Sequence, residues 1–168
     1  MDYQSFVALA RGRLEAELDL DVGASELALA LNRAAGILTD AAEATVHRPN
    51  GLVWSQFRLM FTLWVLGDVE QARLSGLTSS HKATVSNIIG SLTRRGLIER
   101  READGDRRTK MIRLTADGEQ CVRSALLAQD ALFVEWSSAL TQAERDTFVH
   151  LLGKLMERHV MTSGADAR

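Results

Sequence analysis

Nine lysines and arginines fall between His81 and Arg113: Lys82, Arg94, Arg95, Arg100, Arg101, Arg107, Arg108, Lys110 and Arg113. Four acids, Glu99, Glu102, Asp104 and Asp106, share that segment, so it carries +5 in a chain whose net charge is −2, leaving −7 elsewhere. A basic patch on an otherwise acidic molecule holds a polyanion to one face. The same segment opens with His81, Lys82, Thr84, Ser86 and Asn87, small or polar residues that allow close approach to base edges. Lysine can contact phosphate or guanine, and asparagine can pair with adenine. Clustered charge is also ordinary on a solvated surface, so charge alone leaves both readings open.

The order of elements favours the first. "HKATVSNIIGSLTRR" places Val85, Ile88, Ile89 and Leu92 at helical spacing, facing a core, with the polar residues facing out. Gly96 follows where a left-handed C-cap is expected. "LIERRE" and "TKMIRL" read as two strands joined by the loop "ADGDRR". A short helix over about residues 70–78 precedes, so the pattern is helix, turn, helix, hairpin. A helix that fits the major groove reads bases with side chains near its N-terminus. Arg94 and Arg95, at the helix end, can reach phosphate or simply complement the helix dipole. Arg107, at the loop tip, suits the minor groove, where negative potential concentrates. Arg108 and Lys110 extend the basic surface. Asp104 and Asp106 are poor DNA contacts and are expected to orient Arg107, Arg108 or Arg94 through ion pairs.

The flanks are helical. A first helix spans Gln4 to Leu20, and Ser25 is a plausible N-cap for a second. "HRPNG" is a turn, and "SQFRLMFTLWVL" a third helix. Thr115 can cap a long helix to about Ser138. "TQAE" has capping-box spacing ahead of a last helix with Phe148, Leu151, Leu152, Leu155 and Met156 on one stripe. These helices carry more apolar surface than a small winged module covers, which suggests a two-fold dimer. The fold expected is mainly α with a small β-hairpin wing, a winged helix–turn–helix flanked by dimerisation helices. Its parts are 1–51 (N-terminal helices), 52–117 (DNA binding) and 118–168 (C-terminal helices).

Other chemistry finds little support. The chain shows no glycine-rich phosphate loop, nucleophile elbow or carboxylate pair at a defined spacing, so no enzyme is expected and no cofactor. His150 and His159 are nine residues apart and point to opposite faces of one helix. A zinc site would have to draw His47, His150 or Cys121 from separate elements. Cys121, the single cysteine, excludes an internal disulfide and reads as a small hydrophobe. The N-terminus lacks the pattern of a secretory signal, and no apolar run approaches membrane-spanning length, so a cytoplasmic protein is expected.

Residues from about Leu52 to Gly118 resemble the winged helix–turn–helix of the MarR family of bacterial transcription regulators. The resemblance rests on "ARLSGLTSSHKATVSNIIGSLTRRGLIERRE", on "DGDRRTKMIRLT" and on "LTADG". Asp104-x-Asp106-Arg107-Arg108 is its most specific piece. The resemblance implies double-stranded DNA as partner, a homodimer and, in many relatives, a small-molecule effector. Some relatives sense zinc. Those that sense peroxide use a cysteine near the N-terminus, which is missing here. The first 22 residues extend beyond the usual family start. A urate-sensing branch shares such a helix, but its tryptophan has no counterpart in residues 1–22. The family's turn usually holds a glycine before an apolar residue, whereas an ungapped alignment puts Ser79 and Ser80 there and keeps Leu74, Leu77, Val85 and Leu92 in packing roles.

The reading is therefore a sequence-specific DNA-binding regulator, a ligand-responsive repressor on a pseudopalindromic operator. Trp54, Trp64 and Trp136 read first as core. A cleft between dimer helices and winged domain would use Trp54 or Trp64 with Arg58 to hold an aromatic or amphipathic anion. Alternatives are a winged-helix protein–protein adaptor and a zinc-sensing regulator.

Overall fold

The computed structural model describes residues 3–78, 80–103 and 106–165. Compact units form over residues 1–125 and 126–168, the division falling inside one long helix.

In the first unit, α1 (Tyr3–Glu17) and α2 (Val22–Ala42) form an N-terminal hairpin. α1 stops three residues short of the expected Leu20. The cap of α2 is Asp21, whose Oδ1 accepts the Ala24 N–H at 2.9 Å, and Ser25 lies one turn inside the helix. Asp and Ser cap equally well, and the one beside the chain reversal wins. α2 runs into a π-helical turn, Glu43–His47, and a 3₁₀ turn, Arg48–Asn50, so the expected turn at 47–51 is helical until Gly51. Gly51 takes φ +67°, a conformation glycine adopts without strain.

α3 (Trp54–Leu66) buries Phe57, Leu59, Met60 and Leu63. β1 (Val69–Glu70), α4 (Gln71–Leu77) and α5 (Lys82–Arg94) follow, then β2 (Ile98–Ala103) and β3 (Asp106–Leu114). The sheet is antiparallel, in the order β1-β3-β2. β1, with no expectation behind it, is two residues long and pairs Val69 with Ile112 and Glu70 with Met111. Two residues carry no readable alternation.

The expected loop at 103–108 is shorter in the fold. Pairing continues, through an irregularity after Glu102, to Ala103 opposite Asp106. Arg107 and Arg108 thus belong to β3, and Arg107 is not at a loop tip. Asp-Gly at 104–105 is the sequence signal for a two-residue hairpin connection. Asp104, Gly105 and the side chains of Asp106, Arg107 and Arg108 lie outside the described residues, and so does Ser79.

Leu52, Leu59, Met60, Leu63, Leu74, Ile89, Leu92, Ile98, Ile112 and Val122 are fully buried and form the core of this unit. Leu77, expected inside, is 43 % exposed. It is the last residue of α4.

α6 (Ala116–Ser137) begins as expected: Thr115 Oγ1 accepts the Gly118 N–H at 3.1 Å. In the second unit α7 (Gln142–Ala165) opens with the expected capping box, Glu144 Oε2 accepting the Thr141 N–H at 2.7 Å. The Arg145 guanidinium closes the turn by donating to the carbonyls of Ser137 and Leu140. Trp136, Leu140, Phe148 and Leu151 line an apolar groove of about 540 Å³ in this unit. Among the described residues no helix is long and apolar enough to cross a membrane.

Candidate nucleic-acid interface

α5 divides its residues by face. Val85, Ile88, Ile89 and Leu92 are buried, while Lys82, Thr84, Ser86 and Asn87 are exposed. Burying an Ile or Leu side chain is worth about 1.5–3 kcal/mol, so the four together fix which face of the helix looks outward. The C-terminus is fixed as well. Leu97 N–H donates to Leu92 O at 3.1 Å and Gly96 N–H to Thr93 O at 3.0 Å, with Gly96 at φ +70°. That is a Schellman closure, and it aims the chain straight into β2.

Lys82, Ser86 and Lys110 share the lining of one groove of about 380 Å³ with Glu70, Gln71 and Ser75. The structure thus joins the start of α5 to β3 and adds α4 to the surface. Gln71, Ser75 and the exposed Arg73 were not singled out from the sequence. The signal available was their position in the first helix of the helix–turn–helix. His81 is exposed at the N-cap position, and its side chain makes no capping bond.

The basic residues differ in freedom. Glu99 pairs with Arg113 across the strands, and Lys110 lies 3.4 Å from Glu102. Arg95 turns back to α3, donating to Gln56 Oε1 at 3.5 Å. Arg94, Arg100 and Arg101 are exposed and make no ion pair with any described residue, and the carboxylates of Asp104 and Asp106, expected to orient Arg94, lie outside the described residues. Arg100 and Arg101 counted in the charge balance but were given no role from the sequence.

Trp54, Arg58 and Trp64 have separate surroundings. They lie on one helix, and Trp64 is ten residues, or about 15 Å of rise, beyond Trp54. Trp64 stacks on Phe61 and lies under the Arg123 guanidinium, 5.6 Å from the ring centroid. Arg58 Nη2 donates to Ser80 Oγ at 3.3 Å. Trp54 instead neighbours His47, which was considered only as a zinc ligand. The His47 ring stacks on Phe57 with centroids 4.4 Å apart and sits 5.3 Å from Trp54. It is 0 % exposed, and neither ring nitrogen has a hydrogen-bond partner among the described residues. A π-helical turn of this kind often marks a functional position. Among the described residues no group of three or more His, Cys, Asp or Glu is placed to hold a metal ion. Cys121 is half-buried, and burial pushes its thiol up while Arg95 opposes the shift.

Burial lowers the pKa of His47, with the Glu43 charge acting weakly against it. The neutral ring is therefore favoured in the folded chain. The unfolded chain takes up the proton near pH 6.5, so stability is full above that pH. It falls as the pH drops from there toward the lower folded pKa. His47→Phe keeps the stacking and removes the proton. Its urea midpoint should lose the pH dependence that wild type shows as the pH falls below about 6.5. Equal slopes for His47→Phe and wild type in that window would refute the assignment.

The geometry can be set beside known proteins. Residues 52–110 match the sequence model of the MarR family. The transcriptional regulator HosA of Escherichia coli O157:H7 is 29 % identical over 110 residues, 66 % of this chain and 82 % of HosA. The transcriptional repressor MprA of Escherichia coli K12 is 33 % identical over 90 residues, 54 % of this chain and 51 % of MprA. Among solved structures, Bordetella bronchiseptica BpsR superposes with a TM-score of 0.71 at 25 % identity, covering 78 % of this chain and 98 % of that one. Its structure addresses regulation of its DNA binding by 6-hydroxynicotinic acid. A mutant MarR of Escherichia coli in complex with operator DNA shares the fold, with a TM-score of 0.73 at 20 % identity over 82 % of this chain and 98 % of that one. The fold and the helix–turn–helix thus define a winged-helix transcription regulator. Over residues 52–110, its winged helix–turn–helix matches the MarR family.

Proposed function

We propose that the chain is a cytoplasmic repressor that binds a pseudopalindromic operator as a homodimer. Residues 52–117 contact DNA, and 1–51 with 118–168 supply the dimer surface. The observation that carries this is α5, whose apolar face is buried and whose outward face offers Lys82, Thr84, Ser86 and Asn87. His81 stands at the helix start, Arg94 and Arg95 at its end, and Arg107, Arg108 and Lys110 on β3. Asp104 and Asp106 serve as orienting acids beside them. We assign no catalytic role and no cofactor. Mobility shift of the protein's own upstream DNA at two salt concentrations tests the reading. Binding that weakens steeply with salt is expected. Failure to shift any duplex would favour the protein–protein adaptor.

Helix and wing should give different signatures. Lys82→Ala or Asn87→Ala should cost about 1–3 kcal/mol on the preferred site and relax discrimination at particular base pairs. Arg107→Ala should weaken binding to most sequences alike and reduce the log–log salt slope by about one. Competition with single-base operator variants, repeated across salt, measures both. Unchanged specificity in the helix variants together with an unchanged slope in Arg107→Ala would leave the basic segment a solvated face.

An effector reading rests on α3 and the π-turn. Trp54, His47 and Phe57 form an aromatic cluster, and Arg58 stands one turn beyond Trp54. His47 and Phe57 are buried in that cluster, so an aromatic anion would meet the half-buried Trp54 ring and draw Arg58 away from Ser80. The regulation of BpsR by 6-hydroxynicotinic acid is in keeping with that chemistry. Such a ligand releases DNA only by binding the DNA-incompetent arrangement more tightly. Titration of hydroxylated aromatic acids against the operator complex tests it. A Trp54→Ala protein that still responds fully would dismiss this site.

A further inference from the structure

The helix–turn–helix lacks the glycine that usually lets such a turn reverse, and hydroxyl groups stand in its place. α4 ends at Leu77, and the chain must reach His81 to start α5. Thr78 is buried, and its Oγ1 donates to Leu74 O at 2.7 Å. The Ser80 N–H donates to Ser75 O at 3.0 Å. Ser80 Oγ donates to Thr78 O at 3.0 Å and accepts from Arg58 Nη2 at 3.3 Å. The hydroxyl is thus used as donor and acceptor together. Arg58 comes from α3, is half-buried and makes no ion pair with any described residue. Its charge is directed at the turn. A hydrogen bond from a guanidinium is stronger than one between neutral groups. Among the described residues no side-chain cap holds the first turn of α5, and this chain of bonds leads into it.

We propose that Arg58 is a positioning residue for DNA recognition: acting from α3 through the Ser80 hydroxyl, it sets the angle at which α5 leaves the turn. Lys82 lies two residues beyond Ser80, so rotation of the turn displaces the contacts nearest the helix N-terminus first. The proposal rests on the regulator reading, because its purpose is the placement of base-reading side chains.

The test uses the full chain, as Arg58→Ala, Arg58→Lys, Ser80→Ala, Ser80→Thr and the double alanine variant. Operator affinity is read by fluorescence anisotropy across a salt series, and amide hydrogen exchange over residues 82–86 in free protein. Each alanine variant should weaken binding about tenfold with an unchanged salt slope, because Arg58 does not touch phosphate. The double variant should be no weaker than either single one, since both remove one linkage. Ser80→Thr should retain affinity, and exchange in the first turn of α5 should rise in both single alanine variants. A salt slope lower by about one in Arg58→Ala would make it a direct phosphate contact and overturn the proposal. Strictly additive losses, or unchanged exchange, would also overturn it. If Arg58→Ala does not fold, Ser80→Ala and Arg58→Lys carry the comparison. A wild-type chain that ignores duplex DNA fails the regulator reading, and the exchange arm still decides whether the linkage exists.

Discussion

Replacing Gly118 by alanine should destabilise the chain by about 2–3 kcal/mol, against the sign that helix propensity gives. Gly118 lies in the first turn of α6, where Gly→Ala ordinarily gains up to about 1 kcal/mol. A methyl built there, however, would meet the Leu97 carbonyl oxygen at 1.9 Å and Leu114 Cδ2 at 3.2 Å. The carbonyl cannot step aside cheaply. Leu97 O accepts the Thr115 N–H at 3.1 Å, and Thr115 Oγ1 donates to Gly96 O at 2.6 Å. Moving it would disturb the Gly96 closure of α5, the start of β2 and the cap of α6 together. A lower urea midpoint at an unchanged m-value is the expected record. A midpoint at or above wild type would show that α6 shifts freely at its N-terminus, and the close approach would lose its meaning.

That glycine shows what could be read from the chain without coordinates. "LTADG" is visible as a motif, and Thr115 as a cap, because caps are local. The reason for glycine is not local: it depends on a carbonyl twenty-one residues earlier, brought there by a hairpin. The inward face of α5 was legible for a similar reason, since Val85, Ile88, Ile89 and Leu92 repeat at the helical period. β1 was not legible, because two residues hold no period, and only the pairing of Val69 with Ile112 defines it. Ser25 has the chemistry of a cap, and Asp21 takes that place because α1 ends just before it. Arg107 was placed on a loop tip because charged, glycine-containing runs read as loops, and the ladder instead carries β3 through it. For Arg58 the residue type was noticed and the partner was not. Its bond to Ser80 spans twenty-two residues and answers a departure in the turn that the sequence displayed without its remedy.

Placing glutamates at Leu151 and Leu155 should convert a dimer into a monomer and remove most operator binding. These residues are four apart on α7, so their side chains share a face. They are 49 % and 46 % exposed, with Phe148 at 39 % one turn before Leu151. The groove of Trp136, Leu140 and Phe148 borders the same helix. Large contiguous apolar patches are rare on a free surface and mark contacts with partners. Because both side chains already face outward, the substitutions remove little packing within the chain, and the fold of the protomer should persist by circular dichroism. Two linked recognition helices bind with an effective concentration of order millimolar for the second contact. Losing the linkage should therefore weaken operator affinity about a hundredfold or more. Footprinting of wild type should protect half-sites about one helical turn, roughly 10 base pairs, apart. The double variant should protect a single half-site at high concentration. Sedimentation at micromolar concentration gives the decisive comparison. A wild-type chain that sediments as a well-folded monomer, or a Leu151→Glu/Leu155→Glu protein that remains a dimer with full affinity, would place the interface elsewhere and leave these apolar residues without a role in assembly.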